Sequence, residues 1–530
     1  MASAAVKIGK LTFYNILLAI FACSGGFAYG FAYQALTASI GQPQFYIYLG
    51  LERGTTYTAN ILGAINGLFF AGGAFGSVSQ SWVGDKLGRR KALIIASALA
   101  LIGSSLVAGT VHVVMLIVFR LVQGWGTGMI VTLAPIYLAE ISPPQHRGLL
   151  LGSFATSLGI GMNVVGWISL GTYYAQNPSV QWRLPLALAC IGPLVMFVGS
   201  FFIPESPRWL LWQGKSDQAW SILQKLHEGP TYSEQVEQTA HAEFIQIQRQ
   251  IDYDKTMGVT YWQIVKQPSY RKRALIVIVA MFAYQSTGAF GIGNYKILIY
   301  ENLGFRGSMP LLLNALYTFI GTCGVMLASI YVDKTGRKIL FQLTDMAPDT
   351  VVGLPAMAAA LLAEALLSRR YVATDDKAGN AACIVFLFLF VFTLDLTLGP
   401  SIFIYVSELW PTPLRAKGLA IAWFTYFLGA ITYTSSSALA FEKIGWRMYM
   451  VWFTCNIVNF FIVWFYFPET TNKTLEEISE LFGDKVVVRI TADGKNLEGD
   501  KIIEIKTTGE KDGRDDHVQV EVIENTKGRD

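Results

Sequence analysis

Apolar residues fall along the chain in blocks, each roughly as long as the 20 residues a helix needs to cross a hydrocarbon layer. About twelve blocks can be drawn, near 11–33, 59–81, 92–111, 114–137, 149–171, 184–203, 274–300, 311–332, 339–367, 381–407, 417–440 and 446–467. Polar residues collect between them, and the longest polar stretch, 204–272, divides six blocks from six. The pattern predicts an all-α membrane protein of twelve transmembrane helices in two halves. Residues 1–10 form an N-terminal segment, 11–203 the first bundle, 204–272 a connector with short helices, 274–467 the second bundle and 468–530 a tail, mostly disordered after about 483. The first block is too long for the apolar core of a secretory signal, and no small-residue cleavage site follows it closely, so it is read as the first span.

Composition agrees with this reading. The 530 residues are 53% hydrophobic and 15% charged, against about 25% charged in soluble proteins. The five cysteines all fall inside apolar blocks without metal-ligand spacing, as expected of packing residues. Basic residues gather in alternate loops: Lys86, Arg89, Arg90 and Lys91, then Lys334, Arg337 and Lys338, then Arg415 and Lys417. The connector and the charged tail fall on the same side. An excess of Lys and Arg marks the cytoplasmic face, which places both termini there. Arg369 and Arg370 sit on the opposite side, and two charges do not reverse the bias.

The halves repeat each other. Asp85-x-x-Gly88-Arg89-Arg90 after the second block returns as Asp333-x-x-Gly336-Arg337-Lys338 after the eighth. Tyr137-x-x-Glu140-x-x-Pro143-x-x-x-Arg147 closes the fourth block, and Tyr405-x-x-Glu408-x-x-Pro411-x-x-x-Arg415 closes the tenth at identical spacings. Pro204-Glu205-Ser206-Pro207-Arg208 follows the sixth, and Pro468-Glu469-Thr470 the twelfth. Duplicated halves are how many transporters build a central site between two bundles. Together with Arg120-x-x-x-Gly124-x-Gly126-x-Gly128 and Gly399-Pro400, these motifs resemble the sugar porter family of the major facilitator superfamily over about residues 11–482, most closely its fungal members.

That resemblance implies the major facilitator fold, transport of a small-molecule sugar by alternating access, and action as a monomer. It also implies that Asp85, Arg89, Glu140, Arg147 and Glu205 in one half, with Asp333, Arg337, Glu408, Arg415 and Glu469 in the other, act in gating. Carboxylates and guanidinia at helix ends can make charge-assisted bidentate contacts, which is the chemistry such a role requires. Lys86, Lys91 and Lys338 read instead as anchors at the membrane surface.

A sugar site needs amide and hydroxyl groups for hydrogen bonds and aromatic faces for the apolar side of the ring. The family pattern falls on Gln285, Asn314 and Thr318, with Phe403 where many members have Trp, and Trp423 on the eleventh block. Tyr284 replaces an amide of the pattern, Asn294 replaces a tyrosine and Phe290 an asparagine. The fifth block carries Ser153, Phe154 and Ala155 where a glutamine is usual. Fewer amides and more rings point to a different sugar, a larger glycoside or a less polar solute than a free hexose.

Proton-coupled sugar porters carry an aspartate in the first span, where this chain has Ala32, so facilitated diffusion is the expectation. Asp395, mid-block in the tenth span, is the candidate proton site and keeps symport open, with protons as a second partner. A carboxylate at that depth costs about 2.5 kcal/mol or more, so such residues usually have a purpose. A polyol or quinate-type cargo, for which Lys296 is the obvious cation, and a non-transporting sugar receptor are the remaining alternatives. No phosphate loop, metal-ligand cluster or nucleophile arrangement is present in the sequence, so no enzyme, cofactor, metal or nucleic-acid role is expected. A plasma-membrane location follows from the resemblance alone.

Overall fold

In the computed structural model the described residues are 12–142, 147–227, 240–241, 244–245, 247–248, 251–252, 255, 260–335, 353–372, 374, 376–411, 414–468, 481–483, 489–490, 496–498 and 501–503. The first half contains α1 (Phe13–Ile40), the short α2 (Pro43–Leu49), α3 (Thr56–Leu87), α4 (Arg89–Ala108), α5 (Val113–Ile141), α6 (Arg147–Tyr173), α7 (Pro178–Leu188) and α8 (Ile191–Gly199). The connector carries α9 (Pro207–Trp212), α10 (Ser216–His227) and α11 (Tyr261–Lys266). The second half contains α12 (Pro268–Ser286), α13 (Ala289–Asn302), α14 (Met309–Thr335), α15 (Gly353–Tyr371), α16 (Lys377–Thr397), α17 (Gly399–Glu408), α18 (Arg415–Ile444) and α19 (Arg447–Tyr466). In the tail, β1 (Arg489–Ile490), β2 (Asn496–Glu498) and β3 (Lys501–Ile503) form a small antiparallel meander in the order β1-β2-β3.

Ten helical segments among the described residues are long and apolar enough to cross a membrane, and α15 and α18 complete twelve spans. Three spans are broken. Span six divides at Ala189–Cys190, where Pro193 supplies no N–H and its ring crowds the Ala189 carbonyl four residues earlier. Span ten divides at Leu398, just before Pro400. Span seven divides at Gly288, whose φ of +101° only glycine adopts without strain. A side chain there would also run into the Trp452 ring at 2.9 Å. The apolar blocks run on past all three breaks, so block boundaries do not mark them, although the polar run Gln285-Ser286-Thr287 precedes Gly288.

Each half packs as one bundle. In the first, α1 lies on α5, α6 and α8, and α5 lies on α3 and α4; in the second, α15 joins α16 to α19, and α12 lies on α18. The bundles meet along α3 with α18 and along α6 with α14. Gly124, Gly126 and Gly128 allow α5 its close contacts: a Cβ on the first would strike the Phe69 carbonyl, on the second Ala100 backbone, and on the third Gly73. This is the small-residue packing that membrane helices use in place of hydrophobic driving force. Replacing Gly126 by Leu should separate α4 from α5 and cost roughly 3 kcal/mol or more of stability. Loss of the monodisperse gel-filtration peak in detergent checks it.

Candidate functional site

The repeated motifs meet at the end of the bundles nearest the connector. Arg89 opens α4 and grips Glu140 at the end of α5 with two bonds, Nε to Oε2 at 3.1 Å and Nη2 to Oε1 at 3.0 Å. Its Nη1 donates to Asp85 at 3.1 Å and to the Gly84 carbonyl at 2.8 Å. Glu205 accepts from the backbone N–H groups of Arg89 (2.7 Å), Arg90 (3.1 Å) and Ser206 (3.0 Å), so it caps the positive end of α4. Gly88, at φ +93°, makes this possible, since a side chain there would occupy the Glu205 carboxylate.

These contacts tie helices within the first bundle. The second half repeats one of them: Tyr137 donates to the Pro204 carbonyl at 3.0 Å, and Tyr405 to the Pro468 carbonyl at 3.2 Å. Glu408 ends α17 and Arg415 opens α18, the positions that Glu140 and Arg147 hold in α5 and α6. Asp333 lies in the last turn of α14. Arg337 and Glu469 lie outside the described residues.

The centre of the molecule is walled by rings. Phe403 stacks on Trp423 with centroids 4.9 Å apart, Trp423 lies 5.2 Å from Tyr426, and Tyr426 stacks on Tyr284 at 5.9 Å. Phe290 joins Tyr426 at 5.6 Å to Tyr33 and Phe70 of the first bundle, both at 5.1 Å. The aromatic wall thus runs without interruption from one bundle to the other. Gln285 is fully buried beside the Tyr426 hydroxyl, and its amide makes no hydrogen bond of ordinary geometry.

A polar wall faces these rings. Gln34 of α1 donates to Asn314 of α14 at 2.8 Å, and Lys296 of α13 donates to Gln34 at 3.3 Å, all three within the buried interior. The Lys296 ammonium also lies 4.7 Å from the Tyr317 ring centroid. Thr318 sits one turn beyond Asn314, donates to the Ala315 carbonyl at 2.9 Å, and lies 3.5 Å from Asn163 of α6. Asn294 turns away from this wall: it donates to Phe290 backbone at 2.9 Å and to Thr434 at 3.3 Å, inside the second bundle.

Asp395 ends up against Gly321 of α14 and Gly399 of α17. It makes no ion pair or hydrogen bond among the described residues, and Thr397, two residues on, bonds the Thr393 carbonyl instead. Lys296 lies within electrostatic range of Asp395, without contact. Ala32, at the place of the family aspartate, gives its carbonyl to Arg120 at 3.1 Å. The Arg120 guanidinium rests 4.2 Å above the Phe69 ring.

At the end away from the connector the bundles are joined by polar contacts that sequence reading missed. Arg53 pairs with Glu301 at 2.8 Å, Thr56 donates to Glu442 at 2.8 Å, and Tyr174 to Ser308 at 2.8 Å. Gln34, Tyr33, Tyr426 and Lys296 as a site group were also missed as a set. Lys296 carried a sequence signal, a charge inside an apolar block, and Tyr426 carried one too, standing where the family pattern often has Asn.

Twelve spans in two repeated bundles around a buried, mixed aromatic and polar centre define a multi-pass membrane carrier. Residues 18–482 match the family described as Sugar (and other) transporter, and the chain belongs to it. The MFS-type transporter criB of Aspergillus cristatus is 31% identical over 461 residues, covering 87% of this chain and 91% of that protein. High-affinity glucose transporter 1 of Candida albicans is 26% identical over 497 residues, 91% and 88% of the two chains. The structure of the MFS proton:xylose symporter XylE bound to 6-bromo-6-deoxy-D-glucose superposes with a TM-score of 0.73 at 21% identity, covering 88% and 99%. The fold is that of the major facilitator superfamily, as the motifs implied, and the protein is a transporter rather than an enzyme.

Removing one partner of a buried ion pair leaves the other charge uncompensated, at about 3–5 kcal/mol. Arg89→Gln should therefore lower the apparent Tm clearly, and adding Glu140→Gln should recover part of the loss. Thermal unfolding of the two variants in detergent checks the sign of that coupling.

Proposed function

We propose that this chain carries a sugar across the membrane by alternating access, as a facilitator. The observation behind the passive mode is Ala32: a methyl group stands where proton-coupled relatives of the motif have a carboxylate, and Arg120 meets only the backbone carbonyl there, through Nη1. The carrier reading is supported by the Sugar (and other) transporter family, by glucose transporters among the relatives, and by a central site shared between bundles. Gln285, Asn314, Thr318, Tyr284, Phe403 and Trp423 contact the solute in this reading, whereas Asn294 holds α13 against α18. The paired acid and arginine motifs hold the connector end, with Arg53 and Glu301 holding the other. The connector side is cytoplasmic, the membrane is the plasma membrane, and the monomer is the working unit.

One observation favours a second reading, proton symport. Asp395 is the carboxylate beside the central rings, and no hydrogen bond to a neighbouring residue accounts for it structurally. Uptake of radiolabelled sugars into proteoliposomes separates the two modes. Facilitated diffusion predicts counterflow indifferent to an inward proton gradient and retained in Asp395→Asn. Gradient-driven accumulation that disappears in Asp395→Asn would establish symport instead.

A further inference from the structure

The hydrogen-bond directions around Lys296 restrict what the site can receive. An ammonium has donors and no acceptor, so the Gln34 amide must turn its oxygen to Lys296 Nζ, 3.3 Å away. Its nitrogen is then committed to Asn314, whose oxygen accepts at 2.8 Å. That in turn leaves Asn314 Nδ2 as the free end, and this atom is buried without a partner. The charge therefore sets the orientation of both amides, with no choice left for either. Each amide oxygen in the chain Lys296–Gln34–Asn314 already accepts one hydrogen bond, and the groups left at its two ends, Lys296 Nζ and Asn314 Nδ2, are donors.

At these donor ends a neutral sugar hydroxyl can serve only as an acceptor, and its own proton has to be placed elsewhere. An oxyanion brings acceptors only. The charge accounting points the same way. Lys296 is 2% exposed and forms no ion pair among the described residues, while Asp395 is near it but packed on Gly321 and Gly399. A buried ammonium without a contacting anion is costly. The Tyr317 ring, 4.7 Å from the Lys296 ammonium, gives the donors an aromatic neighbour, and Tyr33, next to Gln34 in α1, packs 5.1 Å from Phe290.

We propose that the transported solute is an acidic sugar, whose carboxylate is held by Lys296 and Asn314 and whose ring lies on the Tyr33–Phe290 side of the aromatic wall. This rests on the sugar-carrier reading and narrows it to hexuronate-like compounds. Because Gln34 belongs to the first bundle while Lys296 and Asn314 belong to the second, the carboxylate binds at the seam where the bundles part.

The test is uptake of labelled D-glucuronate, its methyl ester and D-glucose by the full-length protein in proteoliposomes. Glucuronate should be preferred over glucose and over the ester by at least about tenfold in kcat/KM, the discrimination expected when a site's buried polar groups lose their partner. Lys296→Met should collapse the acid-to-ester ratio and Lys296→Arg should keep it. Asn314→Asp, which sets a second anion beside the carboxylate, should lose glucuronate uptake while eluting as a monodisperse protein. Glucose uptake without glucuronate uptake or competition overturns the acidic-sugar inference and leaves the sugar carrier standing. Equal losses for acid and ester in a well-folded Lys296→Met also overturn it, marking the lysine as structural. If no sugar, acidic or neutral, is moved, the sugar-carrier reading falls and this one with it.

Discussion

Inside a bilayer the protein is the only source of hydrogen-bond partners, and this requirement governs where the structure is irregular. The broken spans at Gly288 and Leu398 interrupt helical bonding where the chain is packed against other helices, and Gly288 lies against Trp452. The same requirement explains why the polar side chains of the centre come linked. Gln34, Asn314 and Lys296 bond one another across the seam, Thr318 bonds the carbonyl a turn below, and Asn294 finds Thr434. Opening the carrier at the end away from the connector has to break the first two of these bonds.

The architecture was readable because a membrane span is a statement about length and hydropathy, and both are local. The repeat was readable because Tyr137 and Tyr405 recur with the same neighbours, and each does recur in space, bonded to Pro204 and Pro468. Breaks within spans were less legible. Pro193, Gly288 and Pro400 lie inside blocks that are apolar overall, and a transmembrane helix can also tolerate such residues unbroken, as α5 does Pro135.

The site was legible by halves. Phe403, Trp423 and Tyr284, picked out by alignment with a sugar-site pattern, stand in one cluster, and Asn314 and Thr318 lie one turn apart on α14. Asn294 sits in the same pattern yet points elsewhere, because on α13 it falls on the face toward α18. Gln34 carried no signal at all: an amide in a span is unremarked until something 280 residues away in sequence turns out to be its partner. Contacts such as Arg53 with Glu301, 248 residues apart, are equally invisible to a reading along the chain.

The Arg53–Glu301 pair differs from the Arg89–Glu140 pair in one respect that matters for kinetics. Its side chains are 37% and 21% exposed, against 10% and 13%. Mobile ions reach the outer pair and weaken it within a Debye length of about 8 Å at physiological ionic strength, whereas they barely touch the inner one. The two ends of the carrier therefore feel the surrounding electrolyte unequally. On the facilitator reading proposed above, detailed balance forbids pumping on that account, and salt at the Arg53–Glu301 end shortens the time the empty protein waits closed there.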